Sequence, residues 1–237
     1  LMPGDILYFR GGNYSFTSCG TNNYWAIGYI RPARSGLVGK PITFKAYPSE
    51  TVQVQVSSGT QPTFGTVGLD YIRFQGFTVL GGFGMITGRN NEVSYNEIIG
   101  SFVNSVFNHD GISIGINGDV TSAPWIHHNI IRGVTGLSEN STGLKFYSTT
   151  NALVEDNYIH GNTSGIHNKD GGNQDNTFRR NWVSNNQKAQ IMGGAGPNYR
   201  WRAFIYDNVI DGNGVNSLYV SEGSEIHDNL IRGGILA

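Results

Sequence analysis

A short phrase recurs along the chain: an apolar residue, two variable ones, Asn, one variable residue and another apolar one. It reads VSYNEI at 93–98, IHHNII at 126–131, VEDNYI at 154–159, FRRNWV at 178–183, IYDNVI at 205–210 and IHDNLI at 226–231. Its asparagines, Asn96, Asn129, Asn157, Asn181, Asn208 and Asn229, are spaced 33, 28, 24, 27 and 21 residues apart. A degenerate copy, IRFQGFTV at 72–79, puts Gly76 in the Asn place. Asn and Gly enter positive φ most readily, so a position restricted to them predicts a bend between two short strands. A repeat of this length marks an architecture of stacked units.

A second element precedes most copies: a small residue, then a short alternating strand. The examples are GISIGIN (111–117), GLKFYS (143–148), GIHNKDG (165–171), AQIMGG (189–194) and SLYVSEG (217–223). Alternation assigns Ile112, Ile114, Leu144, Phe146, Ile166, Asn168, Ala189, Ile191, Leu218 and Val220 to the inside. Each repeat then carries about three short strands and cannot bury its apolar face alone, so copies must stack. The expected fold is all-β: a parallel β-solenoid with a ladder of stacked Asn. Turn insertions, longest at 101–109, 117–124 and 193–202, absorb the uneven spacing.

Composition agrees. Glycine (34) and asparagine (25) are abundant among the 237 residues, and charged residues make up only 14%. Helical bundles and coiled coils need more Ala, Glu, Lys and Leu than this. Disorder is excluded by 38% hydrophobic and 12% aromatic content. Sixteen basic against 17 acidic residues leave no global basic footprint, so nucleic acid is not the expected partner. No apolar run approaches the roughly 18 residues of a membrane span. Cys19 stands alone, which excludes an intramolecular disulfide and a cysteine zinc site. The chain is read as one domain over 1–237, trimmed at one or both ends, because LMPGD and IRGGILA start and stop within strand-like sequence. Such ends expose strand edges that call for capping. A signal peptide is not within this chain.

These features resemble the right-handed parallel β-helix superfamily, the pectate-lyase-like fold, in which Asn ladders line one turn. The opening PGDILYFRGGNYS (3–15) and GKPITFKAYPSE (39–50) looks like the first coils of polysaccharide lyases and related secreted β-helix proteins. The resemblance implies a secreted protein whose substrate lies along the outer face of one sheet. The outward residues of the alternating strand give that face: Lys145, His167 and Gln190 in one column, and Tyr147, Lys169 and Met192 in the next. Ser113 and Gly115 precede them, and Tyr219 and Ser221 follow. Cations and tyrosines suit an acidic sugar chain. β-Elimination on a uronate needs a base for the proton α to the carboxylate, a cation for the developing charge, and an acid for the leaving oxygen. Lys169 is the candidate base, with Lys145 and His167 beside it to favour its neutral form. Tyr147 or His167 is the candidate acid.

The segment IHNKDGGNQDNTFRRN (166–181) resembles the lysine-bearing coil of the alginate lyase and chondroitinase B family, which also places Lys169 on the base. That family takes an arginine from the following coil, where this chain offers Met192. Its acidic calcium ligands have no counterpart in GNTSGI (161–166). Arg200 or Arg202 is the substitute cation. Calcium has one further candidate place, the Gly-rich turn flanked by Asp170 and Asp175, although turn aspartates ordinarily bond local backbone. The insertion GPNYRWR (196–202) brings together Tyr199, Arg200, Trp201 and Arg202. Either this loop grips sugars or Trp201 plugs the side of the solenoid. Glu155 with Arg179, and Asp156 with Arg180, read as ion-pair ladders between coils. Two functions stand open: a lyase cleaving an acidic polysaccharide, or a non-catalytic β-helix that binds glycans in adhesion or as a tailspike-like protein. Oligomeric state is not legible.

Overall fold

The computed structural model describes residues 1–16, 30–56, 63–66, 68–100, 110–115, 121–136, 140–169, 172–193, 201–219 and 223–236. All its regular structure is strand, and the long pairings are parallel. No described helix is long and apolar enough to cross a membrane.

Each full coil carries three strands, one on each face of the solenoid. The first face is a nine-stranded sheet that runs from Ile6–Phe9 to Glu225–His227. The second contains Glu97–Ile99, Ile130–Arg132, Tyr158–His160 and Trp182–Ser184; the third contains Asp110–Ile114, Thr142–Phe146, Ser164–Asn168 and Ala189–Gly193. The strand Val209–Tyr219 bends through the corner and joins the second and third faces into one sheet. The result is the parallel β-solenoid expected of the repeat.

The Asn ladder occupies the corner between the first and second faces. Asn157 Oδ1 accepts from the backbone N–H of Asn129 at 3.0 Å and from Asn129 Nδ2 at 3.0 Å. Asn157 Nδ2 donates to Ile126 O, to Glu155 O and to Asn181 Oδ1. The same bonds recur from Asn96 to Asn229. The ladder therefore satisfies backbone groups that the turn takes out of the sheets.

Two details correct the sequence reading. The residue in positive φ is the one before each Asn: Tyr95, His128, Asp156, Arg180, Asp207 and Asp228, with φ between 51° and 58°. Gly76 (φ 82°) belongs to that column, since Gln75 pairs with Ser94. Phe77 thus takes the Asn place, and its N–H donates to Asn96 Oδ1 at 2.9 Å. A second, shorter ladder lies between the second and third faces, where Asn162 donates to Asn186 Oδ1 and Asn186 donates to Gln190 Oε1.

Inside, apolar side chains stack coil upon coil. Ile112, Ile114, Leu144, Phe146, Ile166, Asn168, Ala189, Ile191 and Leu218 are all buried, as alternation requires. Val220 lies outside the described residues. A phenylalanine stack fills the early coils, with Phe64 and Phe83 ring centroids 4.7 Å apart. Rings at that separation contribute beyond their buried area.

Candidate functional site on the third face

Parallel pairing sets Lys145 opposite His167, and His167 opposite Met192. Lys145 and His167 share a column, as expected. Gln190 does not join them, because Ile191 rather than Ala189 pairs with Ile166. Met192 takes that place, so it stands in the column of Lys145 and His167 and not, as expected, in that of Tyr147 and Lys169. Gln190 is fully buried and ends the second ladder: Oε1 accepts from Asn186 Nδ2 at 2.7 Å, and Nε2 donates to Asn186 O at 3.0 Å. It is therefore closed to a ligand.

Lys145 is outward by alternation yet completely buried. Its Nζ lies 2.5 Å from Asp110 Oδ1, the two side chains being 0% and 6% exposed, and it also donates to Asn140 O. Asp110 Oδ2 accepts from Ser113 Oγ at 2.7 Å. A buried ammonium is tolerated only with such a partner. The pairing of Asp110 to a lysine one coil away is visible only with the register.

His167 is 7% exposed. Burial first, then the positive charges of Lys145 and Lys169, pushes its pKa down to about 3. At neutral pH His167 is therefore uncharged. Its Nδ1 is buried with no hydrogen-bond partner among the described residues. Lys169 is half-buried and reaches over the Tyr147 ring, with Nζ 5.8 Å from the centroid. Lys169, Tyr147 and His167 thus meet at one end of the third face, with Lys145 held beneath.

The remaining candidates separate from this group. Trp201 is 2% exposed and packs so tightly on Gly193 that a Cβ there would lie 1.8 Å from the indole nitrogen. It plugs the solenoid and does not grip a sugar. Arg202 pairs with Asp175, whose carboxyl it holds below the usual range. That pairing engages both side chains within the protein at an exposed position. Asp170, Tyr199 and Arg200 lie outside the described residues. Tyr219 is half-buried at the end of the strand Val209–Tyr219, where it pairs with Leu236 of the following strand. Among the described residues no three His, Cys, Asp or Glu side chains cluster to hold a metal ion. The expected ladders on the first face are present: Arg179 Nε to Glu155 Oε2 at 2.7 Å and Arg180 Nη2 to Asp156 Oδ2 at 2.9 Å.

A pH dependence follows from His167. Its folded pKa, about 3, lies below the ordinary 6.5, so between those values the unfolded chain binds a proton that the folded one refuses. Stability from this group is complete above about pH 6.5 and declines as pH falls toward 3. Urea midpoints should show a loss of about 2 to 3 kcal/mol between about pH 7 and pH 4.5, and His167→Gln should remove that part of the slope. An unchanged slope in the variant would place the titrating group elsewhere.

Comparison with known proteins agrees with the geometry. The family described as "Right handed beta helix region" matches residues 81–233, more than half of the chain. No curated protein matches. Among solved structures, the pectate lyase Pel9A superposes with a TM-score of 0.55 at 14% identity, covering 99% of this chain and 63% of that one. The PL6 family alginate lyase AlyGC gives 0.54 at 15% identity, covering 97% of this chain and 36% of that one. This chain therefore spans less than two thirds of either enzyme, and at these identities the likeness is one of fold. On its repeat, its ladder and that match, the chain belongs to the right-handed β-helix family.

Proposed function

We propose that the chain is the β-helix body of a secreted polysaccharide lyase that cleaves a uronate-containing polymer by β-elimination. The observation that carries this reading is the meeting of Lys169, Tyr147 and the neutral His167 at one end of the third face. Two enzymes that share the fold, a pectate lyase and an alginate lyase, act on acidic polymers. A polymer of that size also implies action outside the cell.

In the proposed reaction Lys169 removes the proton α to the uronate carboxylate. The electron pair forms the carbon–carbon double bond, the bond to the glycosidic oxygen breaks, and the Tyr147 hydroxyl protonates that oxygen. The cycle closes when protonated Lys169 returns a proton to the Tyr147 phenolate. His167, uncharged, donates a hydrogen bond to the substrate carboxylate.

A second reading, glycan binding without cleavage, is favoured by a specific pair of contacts. Lys145 is held by Asp110 and Arg202 by Asp175, so two expected cations are engaged within the protein. The experiment is an assay for unsaturated uronate ends with pectate, alginate and chondroitin. Lys169→Ala and Tyr147→Phe should each lower the rate on a cleaved substrate by about 100-fold or more. Both positions are half-buried at the surface, so circular dichroism should stay unchanged. Retention on an acidic polysaccharide column without any cleavage by the parent would replace the lyase by the binding protein.

A further inference from the structure

The first face carries a recess that the lyase reading does not use. Its volume is about 330 Å³, near the lower end of the range for small-ligand pockets. One wall is the loop ahead of the strand Ile42–Ala46, contributing Leu37, Gly39 and Pro41; the floor contains Tyr71, Arg73 and Glu92; Trp125 closes the far side.

Glu92 organises the floor. It is 6% exposed, and its Oε1 accepts from Gln75 Nε2 at 2.7 Å and Ser94 Oγ at 2.9 Å, with His127 Nε2 at 3.3 Å. Arg73 Nε lies 2.8 Å from Glu92 Oε2. Burial pushes the Glu92 carboxyl up, but the bonds from His127 and Gln75 and the charge of Arg73 outweigh it and hold the group ionised. Glu92 is thus filled by donors from the protein. The guanidinium is fixed by its Nε edge, its side chain is 44% exposed, and its terminal nitrogens have no partner among the described residues.

Trp125 is equally fixed. Its indole lies on the His127 ring, with centroids 3.9 Å apart and planes 24° from parallel, and Nε1 donates to Glu155 Oε1 at 2.8 Å. One ring face is covered by His127, and the residue remains 38% exposed. A flat, immobile aromatic surface beside an oriented guanidinium edge matches a sugar ring bearing a carboxylate.

The charge around the recess selects the anion. The segment 31–45 holds Arg31, Arg34, Lys40 and Lys45 and no acidic residue. None of the four forms an ion pair among the described residues. Lys40 sits between two wall residues, and Lys45 pairs in register with Gln75, the donor to Glu92.

We propose that this recess is a second saccharide site that takes one uronate residue of an acidic polysaccharide, with the ring on Trp125 and the carboxylate on the free edge of Arg73. It shares with the lyase reading only the acidity of the polymer, and it stands even if this chain breaks no bond.

The test is an NMR titration with tetragalacturonate and, as the uncharged comparison, cellotetraose. It uses the Lys169→Ala protein so that the oligomer stays intact. The Trp125 indole N–H is assigned by its loss in Trp125→Phe. Tetragalacturonate should shift that resonance and cellotetraose should leave it in place. Arg73→Gln should weaken the affinity about tenfold and flatten its salt dependence. An indole that does not move at saturating tetragalacturonate overturns the site. An equal response to cellotetraose overturns its acid specificity. Failure of the lyase reading is separate: it appears as no unsaturated ends from the parent, whatever the Trp125 resonance does.

Discussion

Asn157→Leu should lower stability by about 4 kcal/mol. Asn157 is 2% exposed, and its side chain supplies the acceptor for the Asn129 backbone N–H and a donor to Ile126 O. Leucine fits the volume but leaves those groups without a partner, and each buried orphan costs roughly 1–3 kcal/mol. The effect should depend on position in the ladder. Asn229 is only half-buried and faces water on one side, so Asn229→Leu should cost less than half as much, because water takes over part of the bonding. Urea denaturation of both variants is the measurement. Equal losses at the two positions would mean that the ladder amides act by shape alone.

Lys145→Met should cost a further 3–5 kcal/mol, for a different reason. The substitution removes the ammonium and leaves Asp110 buried against an apolar neighbour. Asp110→Asn should cost a similar amount by leaving the buried ammonium without its counter-charge. The double variant, Lys145→Met with Asp110→Asn, should recover most of the loss, since two matched neutral groups do not carry the penalty of one isolated charge. Chemical denaturation of the four proteins gives the coupling energy directly. Strictly additive losses would show that the two side chains do not depend on each other.

The fold was legible because the repeat encodes it twice, in a fixed Asn and in strict alternation. The Asn ladder and the buried set from Ile112 to Leu218 follow from those two patterns. The site was less legible, and the slip at Gln190 shows why. Alternation fixes which side of the sheet a residue takes, but a shift of two residues preserves that side. Pairing Ala189 with Ile166, in place of Ile191, therefore gives the same burial pattern and a different neighbour for His167. Gly76 failed in the opposite way, by one residue: glycine was matched to Asn by shared conformational tolerance, whereas its partner was the left-handed residue just before. Burial of Lys145 was also hidden, since an outward lysine reads as solvated until the turn above it is placed. The recess on the first face depends on a loop from one coil lying against strands of later coils, a contact that no local pattern encodes.

The left-handed residues at the ladder corner have one more consequence. An L-residue in that conformation is less favourable by roughly 1–2 kcal/mol, and the corner holds it there because the Asn that follows is bonded on both sides. The conformation is not confined to one side-chain chemistry: a tyrosine, a histidine, an arginine and three aspartates have nearly the same φ. Backbone geometry is assigned to one position and chemical identity to its neighbour. The edge of the solenoid becomes a row of side chains at about 4.8 Å pitch that answer to their neighbours in the row, as Asp156 does to Arg180, while the coils beneath keep their path.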